Sequence, residues 1–272
     1  MPSKEIRVSN RGGLGHLEYF LRLRPYENKY PPLEVVFVSI DLERAWIDEQ
    51  STEAPPIKEV GIAKLDTREL TGATSKHPAT RLVTTTQFST RHSSAEFKDC
   101  HNSTEFRECL FAETFLVTQE SLAQTIANSL RIQDDNSSDS LCLRNIVLVG
   151  HSIKLDLKVL LRLGVDFFKI APTVAILDTH RITRHLLGPE SRSLRVTDPM
   201  TAFKLSDVLT ELECPFQPHG LHNAGNDATY TLHAMLMLAI RSSKARELTA
   251  VETENLYRLQ MIAQAELSES KT

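Results

Sequence analysis

Acidic side chains recur at three places along the chain, and one of these places also carries a histidine. The stretch SIDLE contains Asp41 and Glu43, GHSIKLD contains Asp156, and HNAGND contains His222 and Asp227. Carboxylate oxygens are the ligands that Mg²⁺ and Mn²⁺ prefer in proteins. An imidazole changes charge near neutral pH and can therefore take a proton from water. Together these residue types could carry out metal-assisted hydrolysis.

The first acidic pair ends a run of apolar and β-branched residues. Asp41 and Glu43 are two residues apart, so on a strand they point to the same face. Burying both charges without a partner is costly or forces a proton onto one of them, and a divalent cation removes the repulsion. The alternative is that the strand simply ends here and both acids lie in water. The pair alone does not decide between these readings.

The two later acids each lie in the first turn of a predicted helix. Asp156 follows a buried strand by about one helical turn, which places it at the carboxyl end of a sheet, where open α/β folds bind ligands. Asp227 begins the most apolar helix of the chain, beside a stripe that faces the core. The alternative for both is an acid that is stabilised by the helix dipole alone.

The histidine is separated from Asp227 by the residues Asn-Ala-Gly-Asn. We predict a flexible turn here, with Gly225 and Asn226 as its hinge. We expect His222 to swing towards the acids when substrate binds.

The elements that must position these residues begin with three strands. Apolar and β-branched runs predict strands within 33–43, 55–66 and 81–90, joined as an antiparallel meander. A polar insertion occupies 89–110. A short strand and a helix follow within 110–130, with Thr118 as the predicted N-cap.

Strands and helices then alternate. The predicted strands are NIVLVG and TVAILDT, and the helix between them has Ser152 as its cap and Gly164 as its stop. Three more helices follow, at 180–188, 204–214 and 227–240, and the tail from 244 to 268 forms another. An antiparallel start followed by this alternation predicts an α/β fold with a mixed central sheet flanked by helices.

Composition narrows the class of protein. The chain has 272 residues, is 41% hydrophobic and carries a net charge of −4, which disfavours a generic electrostatic nucleic-acid binder. No apolar run is long enough for a membrane span, and the first residues do not form a secretory signal. Four cysteines without a CxxC pair predict reduced thiols and an intracellular protein. A zinc cluster of Cys100, Cys109, His92 and His101 fits no common spacing.

The ordered motifs resemble the DEDDh branch of the 3′–5′ exonuclease superfamily. SIDLE matches the first motif, GHSIKLD the second and HNAGND the third, and the five-residue step from His222 to Asp227 is typical of the histidine branch. The resemblance covers about 34–241, and the segment 204–236 looks most like exonuclease-like domains of fungal proteins. It implies a ribonuclease-H-like fold.

The resemblance also implies an activity and a cofactor. The activity is removal of nucleoside monophosphates from the 3′ end of single-stranded RNA or DNA, with two Mg²⁺ or Mn²⁺ ions. Asp41 would bridge both ions, while Glu43 and Asp227 would complete one site and Asp156 the other. His222 would act as the general base.

We expect substrate contacts outside the acidic motifs as well. Those contacts are predicted at Trp46, Lys154, Arg181, Arg184 and Asn226. Trp46 could stack on a terminal base or be a core aromatic, and each basic residue could instead belong to a solvated face. Family members often have Thr-Thr-Gly after the first acidic pair, whereas this chain has Arg-Ala-Trp. That departure bears on substrate handling more than on metal binding.

Two other functions remain open at this stage. One is a non-catalytic module that binds nucleic acid or protein and retains the fold. The other is an endonuclease of the same fold, which the His-x-Ala-x-x-Asp spacing disfavours. We expect an N-terminal extension at 1–33, the nuclease-like domain at 34–241 and a helical extension at 242–272. The last could pack on the core, pair with a second chain or recruit a partner.

Overall fold

The fold was determined as a computed structural model. It describes residues 12–23, 33–44, 54–70, 82–90, 107–187, 203–244 and 246–265. Within these ranges no helix is both long enough and apolar enough to cross a membrane.

Six strands form one mixed sheet. They are β1 (Val36–Arg44), β2 (Ile57–Asp66), β3 (Val83–Ser89), β4 (Thr114–Leu116), β5 (Ile146–Gly150) and β6 (Thr173–Asp178). The strand order is β4-β3-β2-β1-β5-β6. Strands β1, β2 and β3 pair antiparallel, whereas β4, β5 and β6 each run parallel to their neighbours. The predicted antiparallel meander and the mixed α/β sheet are both confirmed.

Eight α-helices are described around the sheet. They are α1 (Leu14–Phe20), α2 (Gln119–Leu130), α3 (Lys154–Arg162), α4 (Phe167–Ile170), α5 (Thr179–Leu186), α6 (Leu205–Glu211), α7 (Ala224–Ser243) and α8 (Ala250–Ala263). Helices α2, α3 and α4 pack on one face of the sheet, and α1, α5, α6, α7 and α8 pack on the other.

Strand β1 is buried on both faces, because helices cover the sheet on both sides. Val38, Ile40 and Leu42 point towards α2 and α3, while Phe37 points towards α7. Side chains alternate along a strand, so the face that carries Phe37 also carries Asp41 and Glu43. This alternation directs both acids towards the helix layer that contains α7.

Helix α7 lies across the centre of the sheet and is buried along almost its whole length. Its N-terminus approaches β2 so closely that a Cβ atom on Gly61 would collide with the carbonyl of Ala224. Gly61 is also the register partner of Asp41 on β1. The missing side chain on β2 therefore allows the start of α7 to reach the acidic end of β1.

Some local predictions are confirmed and others are wrong. Thr118 caps α2, with its hydroxyl accepting a hydrogen bond from the Ser121 backbone N–H. Ser152 does not cap α3, because its backbone is left-handed (φ 62°) and the helix begins after Ile153. The predicted hinge at Gly225 and Asn226 is wrong too, since both residues lie in the buried first turn of α7.

The N-terminal segment contributes more to the core than its composition indicates. Helix α1 buries Leu14, Leu17 and Phe20, and the rings of Phe20 and Phe37 meet edge-on with centroids 6.3 Å apart. At the other end of the chain, α8 packs on α7 and begins at the cap Thr249. Within the segment 1–33, which we expected to be an extension, the part that includes α1 therefore packs on the core.

Candidate active site

The acidic end of β1 faces the start of α7. Asp41 is paired in register with Gly61, and Glu43 with Glu59. The register then shifts between Glu43 and Arg44, which indicates a β-bulge. Bulges turn neighbouring side chains to new directions and are common beside active sites.

The turn before α7 holds His222 in an uncommon backbone conformation. Its φ angle is 62°, in the left-handed region, which is uncommon for residues other than glycine, although Asn, Asp and His adopt it more often than the rest. The His222 backbone N–H donates to Asp227 Oδ2 over 3.0 Å. Asn223 caps the helix by accepting a hydrogen bond from the Asn226 backbone N–H over 3.1 Å. These contacts place the imidazole and the Asp227 carboxylate side by side.

Asp156 reaches the same place from the opposite face of the sheet. It lies in the first turn of α3, just after β5, which runs parallel to β1. The carboxyl ends of adjacent parallel strands meet at one edge, so the start of α3 lies next to the end of β1. The charges of Asp156, Asp227 and Glu43 all raise the pKa of Asp41, so the three predicted motifs converge.

Three side chains of this cluster are close enough to share one metal ion. Carboxylate oxygens of Glu43 and Asp227 and a ring nitrogen of His222 all lie within 4.8 Å of one another. Within the described part of the chain, Asp227 Oδ1 is buried and accepts no hydrogen bond. A buried carboxylate oxygen without a donor is costly unless a cation neutralises it.

The pKa values of the acids also indicate that their negative charges are unfavourable in this site. Burial is the largest cause and raises the pKa of Asp156 and of Asp227 to about 7. Burial and three neighbouring carboxylates hold the pKa of Asp41 well above its usual range. The charge of Arg44 opposes these shifts at Asp41 and Asp156. Near neutral pH, this cluster resists carrying its full negative charge without a cation.

The histidine has the opposite shift. Partial loss of hydration, followed by the charges of Arg107 and Lys204, lowers the pKa of His222 below its ordinary value. The side chain remains exposed to solvent. At pH 7 the imidazole is therefore neutral and can accept a proton.

Two contacts of the site were not anticipated from the sequence. Glu59 is 5% exposed, and its carboxylate accepts long hydrogen bonds of 3.4 Å from Asn223 Nδ2 and from the Ala224 backbone N–H. An acid inside an otherwise apolar strand is a signal that it has a buried partner. Arg107 contacts the turn as well. Its position at the end of a polar insertion does not indicate such a contact.

A basic pocket adjoins the acidic cluster. Its volume is about 560 Å³, and it is lined by Ser152, Lys154, Asp178, His180, Arg181, Arg184 and His185. Lys154 lies two residues before Asp156, and the charge of Asp178 raises the pKa of Asp156. The structure thus brings three of the predicted substrate contacts together beside the predicted metal ligands.

Asn226 has a different role from the predicted one. Its side chain is fully buried, and its amide donates to the carbonyls of Glu108 and Gly220 and accepts from the Leu110 backbone N–H. A side chain with these partners joins parts of the protein and does not face substrate. Trp46 lies outside the described residues.

The comparison with known proteins agrees with this geometry. Residues 36–238, more than half of the chain, match the family described as DNA polymerase III subunit epsilon-like, C-terminal domain, of the DEDDh type. The chain belongs to this DEDDh exonuclease family. None of the curated proteins matches the chain. Exonucleases of the DEDDh family generally use divalent metal ions, and the cluster of acids fits such ions in its ligand chemistry.

The repulsion within the cluster predicts how a neutral variant behaves. In EDTA, Asp227→Asn should be more stable than the wild type at pH 7.5, by about 2–4 °C in Tm, the shift that ~1 kcal/mol produces in a domain of this size. The folded-state pKa of Asp227 is raised from 3.8 to about 7, so the stability of the wild type falls as pH rises between these two values and is constant above the higher one. The Tm difference should therefore grow from about pH 4 to about pH 7 and then level off.

Saturating Mg²⁺ should reverse the order, because a bound ion stabilises the wild type more than the variant. Asp166→Asn, at a carboxylate paired with Lys169 away from the cluster, is the control. Thermal unfolding measured by circular dichroism checks both conditions. A variant less stable than the wild type in EDTA at pH 7.5 would contradict the account.

Proposed function

We propose that this DEDDh-family chain is a metal-dependent 3′–5′ exonuclease that removes nucleoside monophosphates from single-stranded RNA or DNA. The observation that supports this most is the convergence of Asp41, Glu43, Asp156 and Asp227, with a neutral His222 beside them. Four acids together in one half-buried site disfavour a purely structural role, because such a role gives no compensation for their repulsion.

The proposed ligands divide between two ions, Mg²⁺ or Mn²⁺. Asp41 would contact both ions, Glu43 and Asp227 would hold one, and Asp156 would hold the other, directly or through water. When bound, the ions lower the pKa of an attacking water and stabilise the charge on the leaving 3′ oxygen.

The chain's own residues supply the proton transfer. His222 is neutral at pH 7, exposed to solvent and next to Asp227, so it can take the proton from the attacking water. The hydrogen bond from its backbone N–H to Asp227 fixes the turn relative to a proposed metal ligand. The backbone of the proposed base is therefore held beside the proposed ligand.

The basic pocket supplies contacts for the nucleic-acid backbone. Among the described residues, Lys154 and Arg184 form no ion pair, while Arg181 lies 3.7 Å from Asp178. Three cations against one carboxylate leave a surplus of positive charge where the chain as a whole is acidic. We propose that these side chains bind phosphates of the strand leading to the scissile bond, and that Trp46 stacks on its terminal base.

The activity is tested with 5′-labelled RNA and DNA oligonucleotides in Mg²⁺, Mn²⁺ or EDTA. We expect a ladder that shortens from the 3′ end in the presence of metal and disappears in EDTA and in Asp41→Ala. Asp166→Ala is the matched control and should retain the ladder. Tight binding without shortening in either metal would overturn the proposal and favour a non-catalytic binding module.

His222→Ala separates the roles of base and ligand. Loss of a general base should lower kcat by about 10²–10⁴, while the affinity for Mn²⁺ stays close to the wild-type value. Single-turnover kinetics give the rate, and Mn²⁺ titration gives the affinity. A parallel loss of Mn²⁺ affinity would assign His222 as a metal ligand.

The double variant Lys154→Ala/Arg184→Ala tests the basic pocket. We expect a higher KM for single-stranded substrate with kcat nearly unchanged, and a flatter dependence of log affinity on log salt, by about 0.7 for each lost phosphate contact. Lys158→Ala, on the same helix but outside the pocket, is the control. An unchanged KM and salt slope would exclude the pocket from the substrate path.

A further inference from the structure

A short segment at the end of the polar insertion lies against the turn that carries His222. We call this segment, residues 107–110, the strap. The guanidinium Nη1 of Arg107 donates a hydrogen bond to the Leu221 carbonyl. In the reverse direction, Asn223 Nδ2 donates to the Arg107 carbonyl over 2.9 Å. The two residues that flank His222 are thus both bound to one residue of the strap.

The first turn of α7 is bound to the strap by a second set of contacts. Asn226 Nδ2 donates to the Glu108 carbonyl over 3.0 Å, and Asn226 Oδ1 accepts from the Leu110 backbone N–H over 2.7 Å. The same Nδ2 atom donates to the Gly220 carbonyl over 2.8 Å. One fully buried amide therefore joins the strap, the turn and the helix.

Two glycines let the strap approach this closely. A Cβ on Gly225 would lie 2.7 Å from Cys109 Sγ, and a Cβ on Gly220 would lie 2.7 Å from Leu110 Cδ1. Both distances are shorter than normal packing allows. The strap and the segment 220–226 therefore meet along a tight seam.

The contacts between the strap and the turn support an uncommon backbone conformation at His222. His222 adopts a left-handed backbone conformation that is unfavourable for its side chain and persists only where the surroundings impose it. The contacts of Arg107 act on Leu221 and Asn223, the residues on either side. Arg107 is also close enough for its charge to affect the pKa of both His222 and Asp227.

We propose that the strap positions His222 and Asp227 for the reaction, with Arg107 as its main contact to the turn. This inference rests on the proposed exonuclease function for its kinetic consequence, but the contact can be tested without activity. Arg107 is then a positioning residue that acts through the Leu221 carbonyl on one side of the proposed base and the Asn223 side chain on the other.

The test compares Arg107→Ala and Arg107→Lys with the wild type by amide hydrogen exchange. Exchange in the peptide covering residues 219–228 should become about tenfold faster in Arg107→Ala, because the turn loses a charge-assisted hydrogen bond. Arg107→Lys should restore part of the protection. Asn226→Asp, which sets a carboxylate against two carbonyl oxygens, should accelerate exchange in residues 107–110 and in 219–228.

Arg131→Ala is the matched control. Arg131 is exposed at the end of α2. The neighbouring Asp134 pairs with Arg68, which lies near the start of β1. Arg131 is therefore at the opposite end of the sheet from the acids. This variant should leave exchange in residues 219–228 and the rate of hydrolysis unchanged.

Kinetics complete the test. In Arg107→Ala, kcat should fall by about 10- to 100-fold, with KM for a short oligonucleotide unchanged and with partial recovery in Arg107→Lys. Unchanged exchange, or faster exchange with an unchanged kcat, would overturn the positioning role. If the wild type shows no hydrolysis, the proposed function fails, and the exchange result alone then decides whether the strap holds the turn.

Discussion

Repulsion among carboxylates held at one end of β1 is the constraint on which the rest of the site depends. Asp41 lies within the electrostatic reach of three other acids, and burial removes the water that would screen them. The acids at Asp156 and Asp227 therefore have pKa values near neutrality, where a cation, a proton or an arginine must compensate. Arg44 supplies part of this compensation, and divalent ions fit the remainder. We therefore expect the chain to be less stable when no cation is bound.

Glycines at two positions let the backbone segments that carry the acids approach each other closely. Gly61 allows α7 to begin directly over β2, and Gly225 packs against Gln87 of β3, whose amide oxygen accepts its N–H. The parallel pairing of β1 with β5 brings the start of α3 to the same edge from the other face. The N-termini of α3 and α7, which belong to the two helix layers, therefore lie at the same end of the sheet. The close backbone contacts that pack α7 on the sheet therefore also bring the acids together.

Periodicity and motif order were enough to predict much of this arrangement. The alternation of side-chain directions along β1 places Asp41 and Glu43 on one face, as their two-residue spacing indicates. The expected hinge failed because Gly225 serves close packing, and flexibility and close packing both call for a residue without a side chain. The role of Asn226 and the strap contact of Arg107 depend on which loop lies beside which turn. Such long-range pairings leave no local pattern in a single sequence.

Direct counting of bound Mn²⁺ by electron paramagnetic resonance decides whether these acids form a cation site. We expect two ions per chain, close enough for their spins to couple. Asp41→Asn, which keeps the shape of the side chain but removes its charge, should lose this coupled pair, and Asp166→Asn should retain it. Equal Mn²⁺ binding in Asp41→Asn and the wild type, or no specific binding in either, would contradict the account.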